Sequence, residues 1–328
     1  MKINAVIGNP PYNNDMYIPF VEMGHQLATD CSLFITPAKW QAKGGKDNEA
    51  FRQNIVPHMR KIVYYPCTKD VFDKVAEAGG ISYYLVDKQT HDDKYIKISC
   101  SMQPLFNSNG FEHNRADMML NKICTSIVDK CNSTRSQFGK TLAFHQSYYI
   151  QNTDSGNKNK THKDDVEVFG GKAGGEVDDT GNKFFFLGYK PYNELKRNDN
   201  IDKYKVCISC MTGGTSFFGL FNMDGTAIGL TPASVIGPNQ VNKGSYYCLR
   251  TFDTLDEAKS LQSYLNCRLI RFLVRCSVVG TTLTEEFFRF VPDPGAFDHI
   301  FTDEELYKKY NLTDEEIEII ESVIKERK

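Results

Sequence analysis

Asn9-Pro10-Pro11-Tyr12 is the stretch whose residue types and spacing suit one kind of chemistry. An exocyclic or amide NH2 is a weak nucleophile because its lone pair is delocalised. It attacks an electrophilic methyl group only when acceptors hold its hydrogens and favour a tetrahedral nitrogen. Asn9 offers a side-chain oxygen and the Pro10 carbonyl a second acceptor, while the paired prolines, with fixed φ, keep both in place. Tyr12 adds a flat face on which a planar group can stack. Such a site needs no charged base.

A loop of this kind needs a rigid support. Ile3, Ala5 and Ile7 alternate with Asn4 and Val6, and the run stops at Gly8 before two prolines that cannot donate to a ladder. That predicts a loop at the carboxyl end of a strand, where open α/β sheets bind their ligands. Helical spacing follows over residues 16–28, with Asp15 as N-cap, then a buried strand over 31–36 that ends at Pro37-Ala38-Lys39-Trp40. Trp40 fits a core or a rim position equally. A short helix is expected over 48–55, a strand over 61–65 and a helical turn at Val71-Phe72 and Val75-Ala76. In a strand over 81–86, Tyr83 and Tyr84 point to opposite faces, so one packs while the other can meet the site. Residues 95–99 are expected to return beside it as a hairpin.

Asn9 to Tyr12 resembles motif IV of the amino-methyltransferases that use S-adenosylmethionine, in the form typical of DNA adenine-N6 enzymes. Residues 16–40 look like motifs V and VI of that family, and Gly79-Gly80-Ile81-Ser82-Tyr83-Tyr84 resembles motif VIII. The tail, with Gly244-Ser245-Tyr246-Tyr247 and residues 287–292, is similar to the end of the target-recognition region of TaqI-type (gamma-class) restriction-modification methylases. The resemblance implies an α/β fold, the second half of a Rossmann-like methyltransferase sheet followed by an α+β target-recognition domain. It implies a partial catalytic domain at 1–100, a connecting helix at 101–135, target recognition at 136–300 and C-terminal helices at 301–328. Asn9 and the Pro10 carbonyl would hold the adenine amine, Pro11 would stiffen the loop, and Tyr12 with Tyr83 or Tyr84 would stack on a base flipped out of double-stranded DNA.

In that family the glycine-rich loop that holds S-adenosylmethionine precedes motif IV, which here starts at residue 9. The expectation is therefore an upstream methyltransferase polypeptide that supplies most of the cofactor site. The one downstream candidate, residues 168–175, is preceded by Glu167 in place of an uninterrupted apolar strand and followed by a polar, turn-rich string, so it reads as a flexible loop. A half sheet also leaves a hydrophobic edge unpaired, a separate physical reason to expect a partner.

Beyond residue 100 the pattern predicts a helix over 114–131, short strands over 141–150, 183–187, 204–208 and 216–221, and a polar insert at 152–183 that is disordered or a flap. Thr254 and Glu257 form a capping box that opens a helix to about residue 276. On it Arg268, Arg271 and Arg275 line one face, either solvated or touching phosphate. Two further boxes, Thr302 with Glu305 and Thr313 with Glu316, open acidic helices whose apolar faces need a surface. The 328 residues carry a formal net charge of −2, so any DNA contact must come from a local patch. No run of eighteen apolar residues suggests a membrane span, and the ten cysteines, with Cys207-Ile208-Ser209-Cys210 the one CxxC, lack zinc spacing, which points to a cytoplasmic chain without a metal. Two other functions fit the loop or the tail: a protein glutamine or RNA amino-methyltransferase, and a catalytically inactive DNA-recognition subunit or decoy.

Overall fold

A computed structural model describes residues 2–41, 45–65, 68, 71–74, 77, 80–89, 95–100, 111–112, 122–131, 136–144, 151, 156–171, 183–196, 199–211, 229–277 and 282–327. Strand β1 (Ile3–Gly8) is followed by helix α1 (Tyr17–Leu27), strand β2 (Ala28–Pro37), helix α2 (Lys46–Ile55) and strands β3 (Met59–Tyr65), β4 (Ile81–Asp87), β5 (Tyr95–Cys100) and β6 (Phe111–Glu112). Together they form a mixed α/β layer with strand order β1-β2-β4-β3-β5-β6. β1 and β2 run parallel, joined by α1, and β4 enters antiparallel between β2 and β3. Both sides of β4 are thereby taken, so β5 lies parallel to β3 and not in the hairpin with β4 that the local pattern suggested.

The apolar periodicity of α1 divides between two sides. Tyr17, Ile18, Val21 and Gly24 are buried against the sheet, whereas Met16, Phe20, Met23 and Leu27 face outward. Gly24 is required by close approach, because a Cβ there would come within 2.3 Å of the Phe34 ring. Trp40 belongs wholly to the core, its ring 5.3 Å from Phe51 and 5.6 Å from Tyr84. Burying each such aromatic stabilises the layer by about 2–3 kcal/mol.

Helix α3 (Lys122–Cys131) leads to two three-stranded sheets. They are built from β7 (Val166–Gly170), β8 (Phe185–Lys190), β9 (Tyr204–Ser209), β10 (Ser234–Ile236), β11 (Gln240–Asn242) and β12 (Tyr246–Phe252), in orders β10-β9-β12 and β11-β7-β8. β7 corrects the part of the 168–175 reading that lies among the described residues, since Val168 to Gly170 belong to a strand that Glu167 does not break. Val166 and Val168 are fully buried, and Glu167 points the other way and accepts a hydrogen bond from Gln240 at 2.7 Å. Period-two alternation accommodates one outward carboxylate without ending the strand. The described part of the 152–183 insert is likewise ordered by β7 and by an Asn157–Tyr189 bridge.

Thr254 caps α4 (Leu255–Asn266) with the full reciprocal box. The expected single helix to 276 is two helices, because Cys267 is extended (φ −56°, ψ 141°) and α5 (Arg268–Ser277) starts afresh with the Leu269 N–H donating to the Asp303 carboxylate at 3.3 Å. α6 (Asp303–Lys309) and α7 (Asp314–Val323) are capped by Thr302 and Thr313, and Leu306, Ile320 and Ile324 bury in the same core as α4 and α5. The expected strand at 216–221, much of that at 141–150, the start of the helix at 114–131 and residues 172–182 lie outside the described residues. Among the described residues no helix is long and apolar enough to cross a membrane.

Candidate active site

At the carboxyl end of β1 the chain leaves the sheet at Gly8. Asn9 is exposed, Pro10 buried, Pro11 exposed and Tyr12 half-buried. A one-turn 3-10 helix over Asn13–Asp15 then reverses the chain, with Asn14 (φ 49°) and Asp15 (φ 62°) in the left-handed region that Asn and Asp tolerate best. Asp15 does not cap α1, whose N-cap position is Met16 without a side-chain bond. Its carboxylate instead meets Lys39 Nζ at 3.4 Å and accepts from Asn48 Nδ2 at 3.4 Å, and Asn48 in turn accepts from the Tyr17 hydroxyl at 3.5 Å. Asp15 thus ties the loop after β1 to the loop after β2 and to α2. These are the carboxyl ends of two adjacent parallel strands.

A third segment joins them. The Ala38 N–H donates to the Gly80 carbonyl at 2.9 Å, and the Gly80 N–H to the Glu77 carbonyl at 3.1 Å. The Glu77 N–H donates to Thr68 Oγ1 at 3.3 Å, and the Phe72 N–H to the Thr68 carbonyl at 2.9 Å. This turn carries Phe72 to Tyr12, with centroids 6.4 Å apart and rings inclined at 63°. The two rings form an aromatic corner beside Asn9 and Pro10 in the chain. The Tyr12 hydroxyl is shielded from solvent and has no hydrogen-bond partner among the described residues. Burial, then the charge of Glu77, pushes its pKa up to about 12, so the ring stays neutral at physiological pH.

Burial also raises the Glu77 carboxyl above its ordinary range, with Lys39 opposing and Asp15 adding to the shift. An acid raised in the folded state holds its proton more tightly there than in the unfolded chain. Its ionisation therefore opposes folding increasingly as pH rises from the ordinary carboxylate range to the raised value, and by a constant amount above it. We expect the melting temperature of Glu77→Gln, relative to wild type, to rise between pH 4 and pH 7. A difference independent of pH would show that Glu77 is solvated.

Of the two tyrosines of which one was expected to stack, Tyr84 belongs to the core and Tyr83 is half-buried on the opposite face. Tyr84 is buried beside Trp40 and Phe51, and its hydroxyl accepts from Thr36 Oγ1 at 3.3 Å. Tyr83, on the other face, lies against Tyr65 at 5.8 Å. Among the described residues Phe72 is the ring in contact with Tyr12, and the sequence had placed it only in a helical turn between two strands. Asp15, read from the sequence only as a helix cap, and Lys39 and Glu77 gave no signal of this role, since each works through partners distant in sequence.

The arginine stripe is not an open face. Arg268 pairs with Glu321 at 2.5 Å, Glu326 at 3.0 Å and Asp303 at 3.9 Å. Arg271 is 2% exposed and donates to the Asn266 carbonyl at 2.9 Å and the Lys325 carbonyl at 2.8 Å, and Arg275 is half-buried. The acidic α6, α7 and the chain end cover this side, which is where their apolar faces needed a surface.

Residues 12–72 match the Eco57I restriction-modification methylase family model. The matched span opens on Tyr12 and closes on Phe72, the two rings of the corner, and includes Asp15, Lys39 and Asn48. Over that span the chain is similar to a methylase. No curated protein matches the chain. A crystal structure of the type IIG restriction endonuclease BpuSI is similar over 90% of this chain and 44% of its own length, at 11% identity and a TM-score of 0.31, so the chain spans less than half of that structure.

Proposed function

We propose that the chain is the catalytic-loop half and target-recognition region of a site-specific DNA adenine-N6 methyltransferase of a restriction-modification system. The observation that carries this reading is an exposed Asn9 amide followed by a buried Pro10 and a Tyr12–Phe72 corner, at the carboxyl ends of two parallel strands. Asn9 Oδ1 and the Pro10 carbonyl accept the two amine hydrogens of adenine, and Pro11 keeps the loop stiff. Tyr12, with Phe72 behind it, provides the apolar wall for a base extruded from the duplex.

S-adenosylmethionine supplies the methyl group when bound. The acceptors and the aromatic corner suit the substrate amine, but the described residues offer no glycine-rich turn running from a parallel strand into a helix for the cofactor. β1 supports the reading that another polypeptide segment carries it. Among the described residues β1 is one edge strand of the sheet, and its Ile7 (77% exposed) with Met16 (47%), Phe20 (41%), Met23 (50%) and Leu27 (53%) leave an uncovered apolar face. A segment that adds a parallel strand to β1 and a helix against α1 fits both features, and the polypeptide encoded upstream is the proposed occupant.

The test is transfer from tritiated S-adenosylmethionine to duplex DNA, RNA and release-factor protein, by the chain alone and mixed with the upstream-encoded polypeptide. Label in duplex DNA, recovered as N6-methyladenine and dependent on the mixture, is the expected result. Label confined to RNA or protein would select the other amino-methyltransferase reading. Sequence-selective DNA binding without cofactor binding or transfer would select the inactive recognition subunit.

A further inference from the structure

β9 and β12 are antiparallel, with Cys207 directly opposite Cys248. The Cys210 N–H donates to the Ser245 carbonyl at 2.9 Å, and this pair belongs to the same register as Tyr246 opposite Ser209 and Tyr247 opposite Ile208. Hydrogen-bonded and non-hydrogen-bonded pairs alternate along such a ladder, so Cys210 with Ser245 being bonded makes Cys207 with Cys248 a non-hydrogen-bonded pair. Residues in such a pair have Cα atoms about 4.5 Å apart, inside the range of roughly 4.4–6.8 Å that a disulfide spans. Both side chains lie on one face, in an apolar cluster with Phe184, Ile236 and Tyr246, and Cys207 is fully buried.

We infer that Cys207 and Cys248 are a dithiol modification site, oxidised to a cross-strand disulfide by low-molecular-weight disulfides of the glutathione class. Burial, then the neighbouring Cys248 thiol, raises the Cys207 thiol well above its ordinary range, and Cys207 Sγ donates to Asn242 Oδ1 at 3.7 Å, so Cys207 is a poor first attacker. Cys248, 5% exposed and next to the register shift between Cys248 and Arg250, is the point of entry. Its thiolate attacks one sulfur of the small disulfide, whose S–S bond breaks and releases one thiolate that takes up a proton. The Cys207 thiolate then attacks Cys248 Sγ in the mixed disulfide, and the second small thiol leaves. Two protein thiols give up two protons and two electrons, and one small disulfide becomes two thiols. The product pins β9 to β12, the strand that runs directly into α4.

The test uses the full chain, reduced and then incubated with oxidised glutathione. Alkylation in denaturant, intact mass and peptide mapping follow, with Cys31 and Cys210, both partly exposed, as internal competitors. The expected result is a linked peptide pair containing Cys207 and Cys248, two fewer alkylatable thiols, and a melting temperature several degrees higher that dithiothreitol reverses. Cys248→Ala should leave Cys207 reduced and unlinked. A glutathione adduct that persists on Cys248, a link between other cysteines, or both thiols still free at the end would overturn the assignment, whether or not the methyltransferase reading holds.

Discussion

On the proposed reading, Asn9→Ala is expected to lower the rate of methyl transfer by about 10²–10³-fold, the size seen when one preorganised acceptor is removed from a developing charge. The fold should not register the change, because Asn9 is exposed and outside the core, and such substitutions usually move stability by no more than about 0.5 kcal/mol. Affinity for duplex DNA should also be unchanged if, as proposed, the amide meets only the extruded amine, and a defect confined to turnover marks a group that acts in the transition state. Asn9→Asp keeps an acceptor oxygen and should retain part of the rate. The measurement is single-turnover transfer under the conditions that support wild-type activity, with DNA binding and thermal melting in parallel. Full activity in Asn9→Ala would remove the loop from the chemistry, and an equal loss of affinity and rate would make Asn9 a binding contact instead.

What could be read from the sequence follows how local each signal was. β1 and the proline corner were legible because a strand's alternation and proline's missing donor are properties of a few consecutive residues. The three threonine caps were legible for the same reason, with full boxes at Thr254 and Thr313, while at Thr302 only the hydroxyl caps because Glu305 turns its carboxylate to His299. Pairing of β5 was not, because which edge remains open depends on where β4 has already gone. The break at Cys267 was hidden because the carboxylate that starts α5 comes from Asp303, far along the chain.

The site divides along the same line. Asn9 to Tyr12 was visible as a string, while the groups that hold it, Asp15 with Lys39 and Asn48, and Phe72 on its turn over Thr68, come from loops after different strands. Alternation said that Tyr83 and Tyr84 face opposite ways but not which layers cover those faces. Here one face carries the Trp40 and Phe51 core, and the other carries Tyr65.

Arg271→Met destabilises the chain by about 3 kcal/mol, because two carbonyls that accept from a buried charged donor lose it together. The guanidinium links the Asn266 carbonyl at the end of α4 to the Lys325 carbonyl in the tail, and Arg327 reaches Asn266 Oδ1 at 2.8 Å and the Leu230 carbonyl beside it. Burial lowers Arg271 to about 10 and Arg327 to about 9, so both retain their charge at neutral pH, and the polar contacts offset its desolvation. Methionine fills much of the volume but donates nothing, and melting should fall by on the order of 5–10 °C. A phosphate contact would behave oppositely. Its loss would leave melting unchanged and reduce the slope of log affinity against log salt by about one. An unchanged melting temperature with a shallower salt slope would return this arginine to the DNA interface, and the reverse pattern assigns it to the joint between α4, α5 and the C-terminal tail.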